Sequence, residues 1–168
     1  MTTTPDILRA IEAHGKATYP EECCGFLLGH ALPEGNTVTA LYPIDNAQGD
    51  NRERRFLMRP DDYRQADQAA RQQQVDVVGT YHSHPDHPAK PSATDLTHAT
   101  FPGFTYVIVS IQDGKAADLT AWSLAPDRSR FITEAMEQEE RKSGRKGEWE
   151  KKMRIKDKEN QDRRISNL

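Results

Sequence analysis

Apolar residues in the first 136 positions fall into short runs separated by polar segments rich in Gly and Pro. Six runs have the length of strands and are either largely apolar or alternate between apolar and polar positions. They lie at residues 23–28, 37–42, 54–58, 75–81, 106–111 and 117–124. A further run, 130–135, fits either a last edge strand or the start of a helix. The nearly continuous apolar runs 23–28 and 106–111 predict strands inside the sheet.

Two longer segments carry apolar residues at helical spacing instead. The first is predicted to begin after a cap at Thr3 or Thr4, with Pro5 as an early helical residue, and to end at Gly15. The second is predicted over residues 61–74. Helices and strands mixed in this order indicate an α+β or α/β domain in which helices flank a mixed sheet.

A third, short helix is predicted after the proline-rich loop that follows residue 84. Ser92 is a good N-cap, and Asp95 would then occupy the third helical position. Earlier in the chain, Gly79 marks a point on its strand where another backbone could approach closely.

The composition indicates one domain followed by a tail. The chain has 168 residues, enough for one core, but only 35% of them are hydrophobic and the mean hydropathy is −0.86. From Glu137 the sequence becomes charged and almost free of aliphatic residues. We therefore predict a domain over residues 1–136 and a tail over 137–168 that is disordered or loosely helical.

The net charge of −3 is unevenly distributed. The last 28 residues hold eleven Lys/Arg and five Asp/Glu, so the first 140 hold twelve basic and 21 acidic side chains and a charge of −9. The first 140 residues are therefore acidic and the last 28 are basic.

The cysteines and the N-terminus constrain the class of protein. Cys23 and Cys24 are neighbours, which excludes an ordinary disulfide framework, and at least one is expected to face the core. No apolar run has the length of a membrane span and no signal peptide is visible, so the cytoplasm is the expected location.

The strongest chemical signal is a pair of histidines at the end of a predicted strand. Residues 81–85 read Tyr-His-Ser-His-Pro, and residues 92–95 read Ser-Ala-Thr-Asp. His82 and His84, two apart on an extended segment, point to the same face, and Asp95 can return as a third ligand. Two imidazoles and a carboxylate suit Zn²⁺ and leave a fourth position for water, as in catalytic zinc sites.

These residues resemble the signature of the JAMM (MPN+) metalloproteases. His82-Ser83-His84-Pro85 and the spacing to Ser92 and Asp95 match that signature. The family also requires an upstream glutamate before a Cys-Gly pair, which Glu22 before residues 23–25 supplies. The resemblance covers about residues 7–136 and implies the JAMM/MPN fold, a curved mixed β-sheet with a helix on each side.

The resemblance also implies the chemistry. His82, His84 and Asp95 would hold one Zn²⁺ per chain, and Glu22 would be the general base that takes a proton from a metal-activated water. Ser92 would stabilise the oxyanion as a hydrogen-bond donor and would not be a nucleophile.

The implied substrate is an amide or isopeptide bond after the C-terminal Gly-Gly of a ubiquitin-like protein. This chain is similar to the small bacterial and archaeal members, which act on ubiquitin-like sulfur-carrier proteins and release cysteine or another amine. An extended tail would add beside an exposed strand edge, and residues 46–56 are the candidate lip of that site.

Taken singly, the same residues have plainer interpretations. Ser92 could be only a helix cap and Asp95 only an acid in the first turn of a helix, and Glu21 competes with Glu22. Residues 82–87 also match His-x-His-x-Asp-His, which resembles the metallo-β-lactamase motif. That fold needs later histidines, and none follows His98. Asp86 and His87 are therefore interpreted as loop residues near the site, where His87 could touch substrate.

A second class of function remains open at this point. The body could be a non-catalytic MPN-type scaffold whose basic tail binds a protein or nucleic-acid partner. Acidic residues are interspersed in the tail and it has a single aromatic residue, Trp149, which makes nucleic acid the weaker choice. A scaffold has no need for the complete set of site residues.

Overall fold

Eight strands and three helices make up the described part of the chain, residues 1–139 of a computed structural model. In chain order they are β1 (Thr2–Thr3), α1 (Pro5–Thr18), β2 (Cys24–Leu32), β3 (Gly35–Ile44), α2 (Pro60–Gln72), β4 (Asp76–Pro85), α3 (Ala93–His98), β5 (Thr105–Gln112), β6 (Lys115–Leu124), β7 (Phe131–Glu134) and β8 (Glu137–Gln138). Within these residues, no helix is both long enough and apolar enough to cross a membrane.

The strands form one mixed sheet in the order β7-β6-β5-β4-β2-β3-β1-β8. Strand β4 is central: it pairs antiparallel with β2 on one side and parallel with β5 on the other. Register shifts in the β2–β3, β2–β4 and β5–β6 pairs mark bulges, which bend and twist a sheet locally. The predicted α+β class, with a curved mixed sheet, is confirmed.

The two faces of the sheet carry separate cores. Leu27 of β2 packs with Ile11 of α1 on one face. Its neighbours Phe26 and Leu28 pack with Ala66 of α2 on the other face. This alternation follows the two-residue period of a strand, and it confirms the predicted helix on each side of the sheet.

Helix α1 does not end at Gly15, as the sequence predicted, but continues to Thr18. Gly15 is buried, and a Cβ at this position would lie 3.0 Å from the side chain of Ile111. The glycine therefore allows the helix to approach the sheet closely, and it does not terminate the helix.

The predicted strand at residues 54–58 is wrong, because this segment is irregular. Asn46 supplies the hydrogen bonds that a neighbouring strand would have made: its Oδ1 accepts from the Leu57 N–H at 3.1 Å and its Nδ2 donates to the Arg55 carbonyl at 2.9 Å. The Ala47 N–H also donates to the Leu57 carbonyl at 3.1 Å. The loop between β3 and α2 is thus ordered by a side chain and not by a ladder.

The remaining local predictions concern the sheet's ends. The run 130–135 contains the edge strand β7, not a helix. A Cβ on Gly79 would lie 2.0 Å from the Thr105 carbonyl oxygen, so the predicted close approach of backbones is present. The start of the predicted tail, Glu137–Gln138, is strand β8 beside β1. The rest of the tail prediction lies outside the described residues.

Candidate metal centre and active site

Strand β4 presents the two histidines from the middle of the sheet. His82 and His84 are 4% and 7% exposed, respectively, and one residue separates them, so their side chains leave the same face. Hydrogen bonding to β2 and β5 on both sides fixes the backbone that carries them. The run that the sequence predicted to end at Tyr81 therefore extends through both histidines to Pro85.

Asp95 is positioned by the N-terminus of α3. The Ser92 N–H donates to Asp95 Oδ2 at 2.6 Å, and the Asp95 N–H donates to Ser92 Oγ at 3.1 Å. This is a reciprocal capping box, as the spacing predicted. One carboxylate thereby caps the helix and faces the histidines.

The three side chains come together with the spacing of a tetrahedral site. The two Nε2 atoms of His82 and His84 are 3.0 Å apart. Asp95 places Oδ1 3.4 Å from His82 Nε2 and Oδ2 3.5 Å from His84 Nε2. Zinc bonds of about 2.0–2.1 Å in tetrahedral geometry put neighbouring ligand atoms about 3.3 Å apart. The donor set and its spacing fit zinc.

Contacts outside this donor group orient the imidazoles. His84 Nδ1 lies 2.9 Å from the Pro88 carbonyl. A carbonyl can only accept, so Nδ1 carries the hydrogen and Nε2 of the neutral ring presents a lone pair. The ring of Phe56 stacks on His82 with centroids 4.5 Å apart, which restricts rotation of that ring.

The site favours the protonation states that bind metal. Burial lowers the pKa of His82 to about 4, against the opposing charge of Asp95. Burial by itself would raise the pKa of Asp95, but hydrogen bonding with His84, the charge of His82 and two hydrogen bonds with Ser92 hold that pKa well below its usual value. A neutral imidazole and an ionised carboxylate are the forms that ligate metals.

The pKa of His84 is raised, in contrast to that of His82. Burial would lower its pKa, but the hydrogen bonds with Asp95 and Pro88 and the charges of Asp95 and Glu22 outweigh this effect and raise the pKa. The carboxylates therefore favour a positive charge at the position of His84, and a bound cation supplies one.

Glu22 lies beside this group. Cys24 pairs with His82 in the antiparallel β2–β4 ladder, and the Ser83 N–H donates to the Cys23 carbonyl at 3.1 Å. Glu22 is the residue before Cys23, and the charges of His84 and Asp95 act on its carboxyl. The carboxyl is 6% exposed, and burial, with smaller effects from nearby charges, raises its pKa to about 7.

Glu21 occupies a different environment. Its carboxylate is exposed and pairs with Arg52 Nε at 3.0 Å. Of these two carboxyls, Glu22 is therefore the buried one that senses the charges of His84 and Asp95.

Asp86 and His87 stand apart from the three ligands. Asp86 accepts hydrogen bonds from the Asp113 N–H and the Tyr19 hydroxyl, each at 2.9 Å, which fix the loop. The His87 side chain is exposed, and its carbonyl accepts from Ser110 Oγ at 2.6 Å. Across residues 1–139, the only group of three or more potential ligand side chains close enough to share a metal is His82, His84 and Asp95.

An apolar groove of about 560 Å³ reaches the candidate metal site and was not predicted from the sequence. His82 and Asp95 form part of its wall. Seven aromatic residues from separate elements and loops also line it: Phe26, Phe56, Tyr63, Phe101, Phe104, Tyr106 and Phe131. The sequence signal that could have indicated this groove is the presence of large apolar residues in polar segments. Two of them, Leu57 and Phe101, prove to be 47% and 45% exposed.

Asn46 is a second feature that the sequence did not reveal. Its buried amide donates to the Glu22 carbonyl at 3.1 Å and to the Arg55 carbonyl at 2.9 Å. The Glu22 N–H donates to the Arg52 carbonyl at 2.8 Å. The loop between β3 and α2 therefore holds the backbone of Glu22 from both sides.

Comparison with known proteins agrees with this geometry. The sequence model for prokaryotic homologues of the JAB domain matches residues 4–125. A protein named desampylase from Haloferax volcanii is 36% identical over 118 residues, which are 70% of this chain and 80% of that protein. A CysO-cysteine peptidase from Mycobacterium tuberculosis is 34% identical over 122 residues, 71% of this chain and 79% of that protein.

Among solved structures, a protein from Salinibacter ruber studied in solution is 57% identical, with a TM-score of 0.68 over 84% of this chain and 94% of that one. The match to the family model covers most of the chain, and the two curated relatives are named as a desampylase and a peptidase. This chain therefore belongs to the family of prokaryotic homologues of the JAB domain, with the JAB/MPN fold, and is an enzyme of the JAMM peptidase and isopeptidase type.

Proposed function

We propose that this enzyme hydrolyses conjugates of a ubiquitin-like sulfur-carrier protein, at the amide or isopeptide bond after the carrier's C-terminal Gly-Gly. The observation that carries the proposal is the approach of His82, His84 and Asp95 to 3.0–3.5 Å of one another beside a buried Glu22. The similarity to a desampylase and to a CysO-cysteine peptidase supports the substrate class.

The cofactor in this proposal is one Zn²⁺ per chain, held by His82, His84 and Asp95. When bound, zinc polarises the scissile carbonyl and lowers the pKa of a water molecule toward neutrality. The residues around it position the substrate and move the protons.

Glu22 is the proposed general base. It takes a proton from the attacking water and returns it to the nitrogen of the leaving amine, so it must gain and lose a proton in each cycle. A pKa of about 7, raised chiefly by burial, suits both halves of that cycle near neutral pH. Asn46 and Arg52 hold the Glu22 backbone while the carboxyl exchanges its proton.

Ser92 is the proposed oxyanion donor. In the capping box its Oγ accepts a hydrogen bond from the Asp95 N–H, so the hydroxyl hydrogen is not used by that bond. That hydrogen can face the Asp95 carboxylate, where a side-chain hydrogen bond from Ser92 helps to lower the pKa of Asp95. In the proposed reaction it turns to the negative oxygen that develops on the scissile carbonyl and stabilises that oxygen.

The groove gives the carrier's tail a path to the metal ligands. Its apolar wall suits the residues that precede the glycines, and His82 and Asp95 lie where the tail would present its last peptide group. Glycine lacks a Cβ, so a Gly-Gly segment can approach a crowded site with its backbone. Phe56, at the end of the candidate lip 46–56, lines the groove, so an extended tail would pass beside this loop.

Zinc content and cleavage, measured together, test the proposal. Wild type, Glu22→Gln and Glu21→Gln would be prepared without metal-chelating tags and offered a ubiquitin-like protein fused through Gly-Gly to a second protein. We expect about one zinc per chain in all three proteins, as a single three-ligand site requires, with cleavage by wild type and Glu21→Gln only. Wild-type protein without bound zinc, or zinc-loaded wild type that leaves Gly-Gly conjugates intact, would contradict the proposal.

A further inference from the structure

Arg55 is a cation whose charge acts on the Glu22 carboxyl, and it has no carboxylate partner among the described residues. Its side chain is exposed, and Nη1 donates a hydrogen bond only to the backbone carbonyl of Arg54 at 3.0 Å. Arg52 and Arg59, in the same loop, each pair with a carboxylate. The fork of Arg55 is therefore available for an anion that the protein itself does not provide.

Asn46 ties Arg55 to Glu22. Its Nδ2 donates to the Glu22 carbonyl at 3.1 Å and to the Arg55 carbonyl at 2.9 Å, and the amide is 7% exposed. The two backbones are thus bridged by one buried side chain. The charge of Arg55 also acts on the Glu22 carboxyl, where it lowers the pKa against the larger effect of burial.

The hydrolysis itself defines where a leaving-group anion would lie. The C–N bond of the scissile amide breaks, a C–O bond to the water oxygen forms, and the proton taken by Glu22 passes to the leaving nitrogen. In a free amino acid, one carbon separates this nitrogen from the α-carboxylate. A cation that binds the carboxylate must therefore lie a few ångströms from the carboxyl that delivers the proton.

We propose that Arg55 binds the α-carboxylate of an amino-acid leaving group, so that the enzyme prefers a carrier joined to a single free amino acid over one joined to a protein lysine. This inference rests on the proposed function. A guanidinium can hold a carboxylate through two parallel hydrogen bonds. A lysine side chain joined through its Nζ has no carboxylate at that distance.

Two substrates that differ by one charge test the inference. Both consist of a ubiquitin-like carrier ending in Gly-Gly followed by one cysteine, which ends in a free carboxylate in one and in a carboxamide in the other. The zinc-loaded wild type, Arg55→Gln, Arg55→Lys and the neighbouring control Arg54→Gln are compared by kcat/KM. We expect wild type and Arg54→Gln to prefer the carboxylate about ten-fold or more.

Arg55→Gln should lose most of that preference, chiefly through a higher KM for the carboxylate. Any effect of the lost charge on Glu22 acts on both substrates alike and leaves their ratio unchanged. Arg55→Lys, which keeps the charge but not the fork, should retain part of it. Equal cleavage of both substrates by wild type, or an unchanged preference in Arg55→Gln, would overturn the role of Arg55 and leave the proposed function standing. Failure of wild type to cleave either substrate would overturn both.

Discussion

Ser92 and Asp95 hold each other at the start of α3: the Ser92 N–H donates to the Asp95 carboxylate at 2.6 Å, and Ser92 Oγ accepts from the Asp95 N–H at 3.1 Å. The proposed oxyanion donor and the proposed metal ligand therefore belong to one capping box. A substitution of Ser92 can act through the helix cap or through the reaction, and the two effects must be separated.

Replacement of Ser92 by alanine and by glycine separates them. Both variants lack the hydroxyl, but an N-cap alanine costs about 1 kcal/mol of stability and an N-cap glycine only a few tenths. We expect kcat to fall by about 10²- to 10³-fold in both, as for other lost oxyanion donors, while the free energy of unfolding falls mainly in Ser92→Ala. Near-wild-type kcat in Ser92→Gly would show that Ser92 only caps the helix.

Ionisation of the buried Glu22 carboxyl should lower the stability of the metal-free protein above neutral pH. Burial raises its pKa in the folded state to about 7 from 4.5, so the folded state holds its proton more tightly than the unfolded state. The contribution of Glu22 to stability is thus fully present below pH 4.5 and is lost as the pH rises to about 7. A shift of this size corresponds to roughly 3 kcal/mol.

Glu22→Gln cannot ionise, so this variant does not lose unfolding free energy as the pH rises through 7. With chelator present, we expect the variant to exceed wild type in unfolding free energy by roughly 3 kcal/mol at pH 8 and to match it near pH 4. Denaturant unfolding at both pH values measures this, and the exposed Glu21→Gln is the matched control. Zinc should shrink the difference, because a cation favours the ionised carboxyl. A pH-independent difference between Glu22→Gln and wild type would contradict the assignment.

Local signals accounted for much of this molecule. The nearly continuous apolar run in β2 is typical of a strand that packs on both faces, His82 and His84 share a face because they lie on a strand, and the Ser92–Asp95 spacing predicts the capping box. Each inference needs only the geometry of one element. The three proposed metal ligands follow from two such elements and the similarity to a known signature.

Tertiary contacts decided the rest. Gly15 looks like a helix terminator, but the close approach of Ile111 keeps it inside α1. Residues 54–58 have the composition of a strand, but the side chain of Asn46 forms hydrogen bonds with their backbone in place of a neighbouring strand. The aromatic groove is assembled from residues as far apart as Phe26 and Phe131, and no local pattern brings such residues together.

Asn46 should position Glu22 without touching the reaction. Alanine at this site leaves the carbonyls of Glu22 and Arg55 and the N–H of Leu57 without their partner, and buried unpaired groups cost about 1–3 kcal/mol each. We expect Asn46→Ala to lose about 3 kcal/mol of stability or more and about ten-fold or more in kcat, with zinc content unchanged. Gln48→Ala, in the same loop, is the control. Lost zinc, or unchanged kcat in folded protein, would contradict this role.

Phe101 should bind substrate and contribute little to the fold. Its ring is 45% exposed and lies in the groove against Tyr63 and Phe104, with centroid separations of 5.9 and 4.8 Å. A carrier tail that covers this ring would bury apolar surface, so Phe101→Ala should raise KM about ten-fold and leave kcat within about two-fold. Stability should change by less than about 1 kcal/mol. The control is Leu32→Ala, since Leu32 is 43% exposed but lies in the β2–β3 hairpin, outside the groove. Equal KM values for the two variants would show that the groove does not hold the carrier. A KM increase confined to Phe101→Ala would instead place the tail in the groove, along the aromatic side chains that lead to His82 and Asp95.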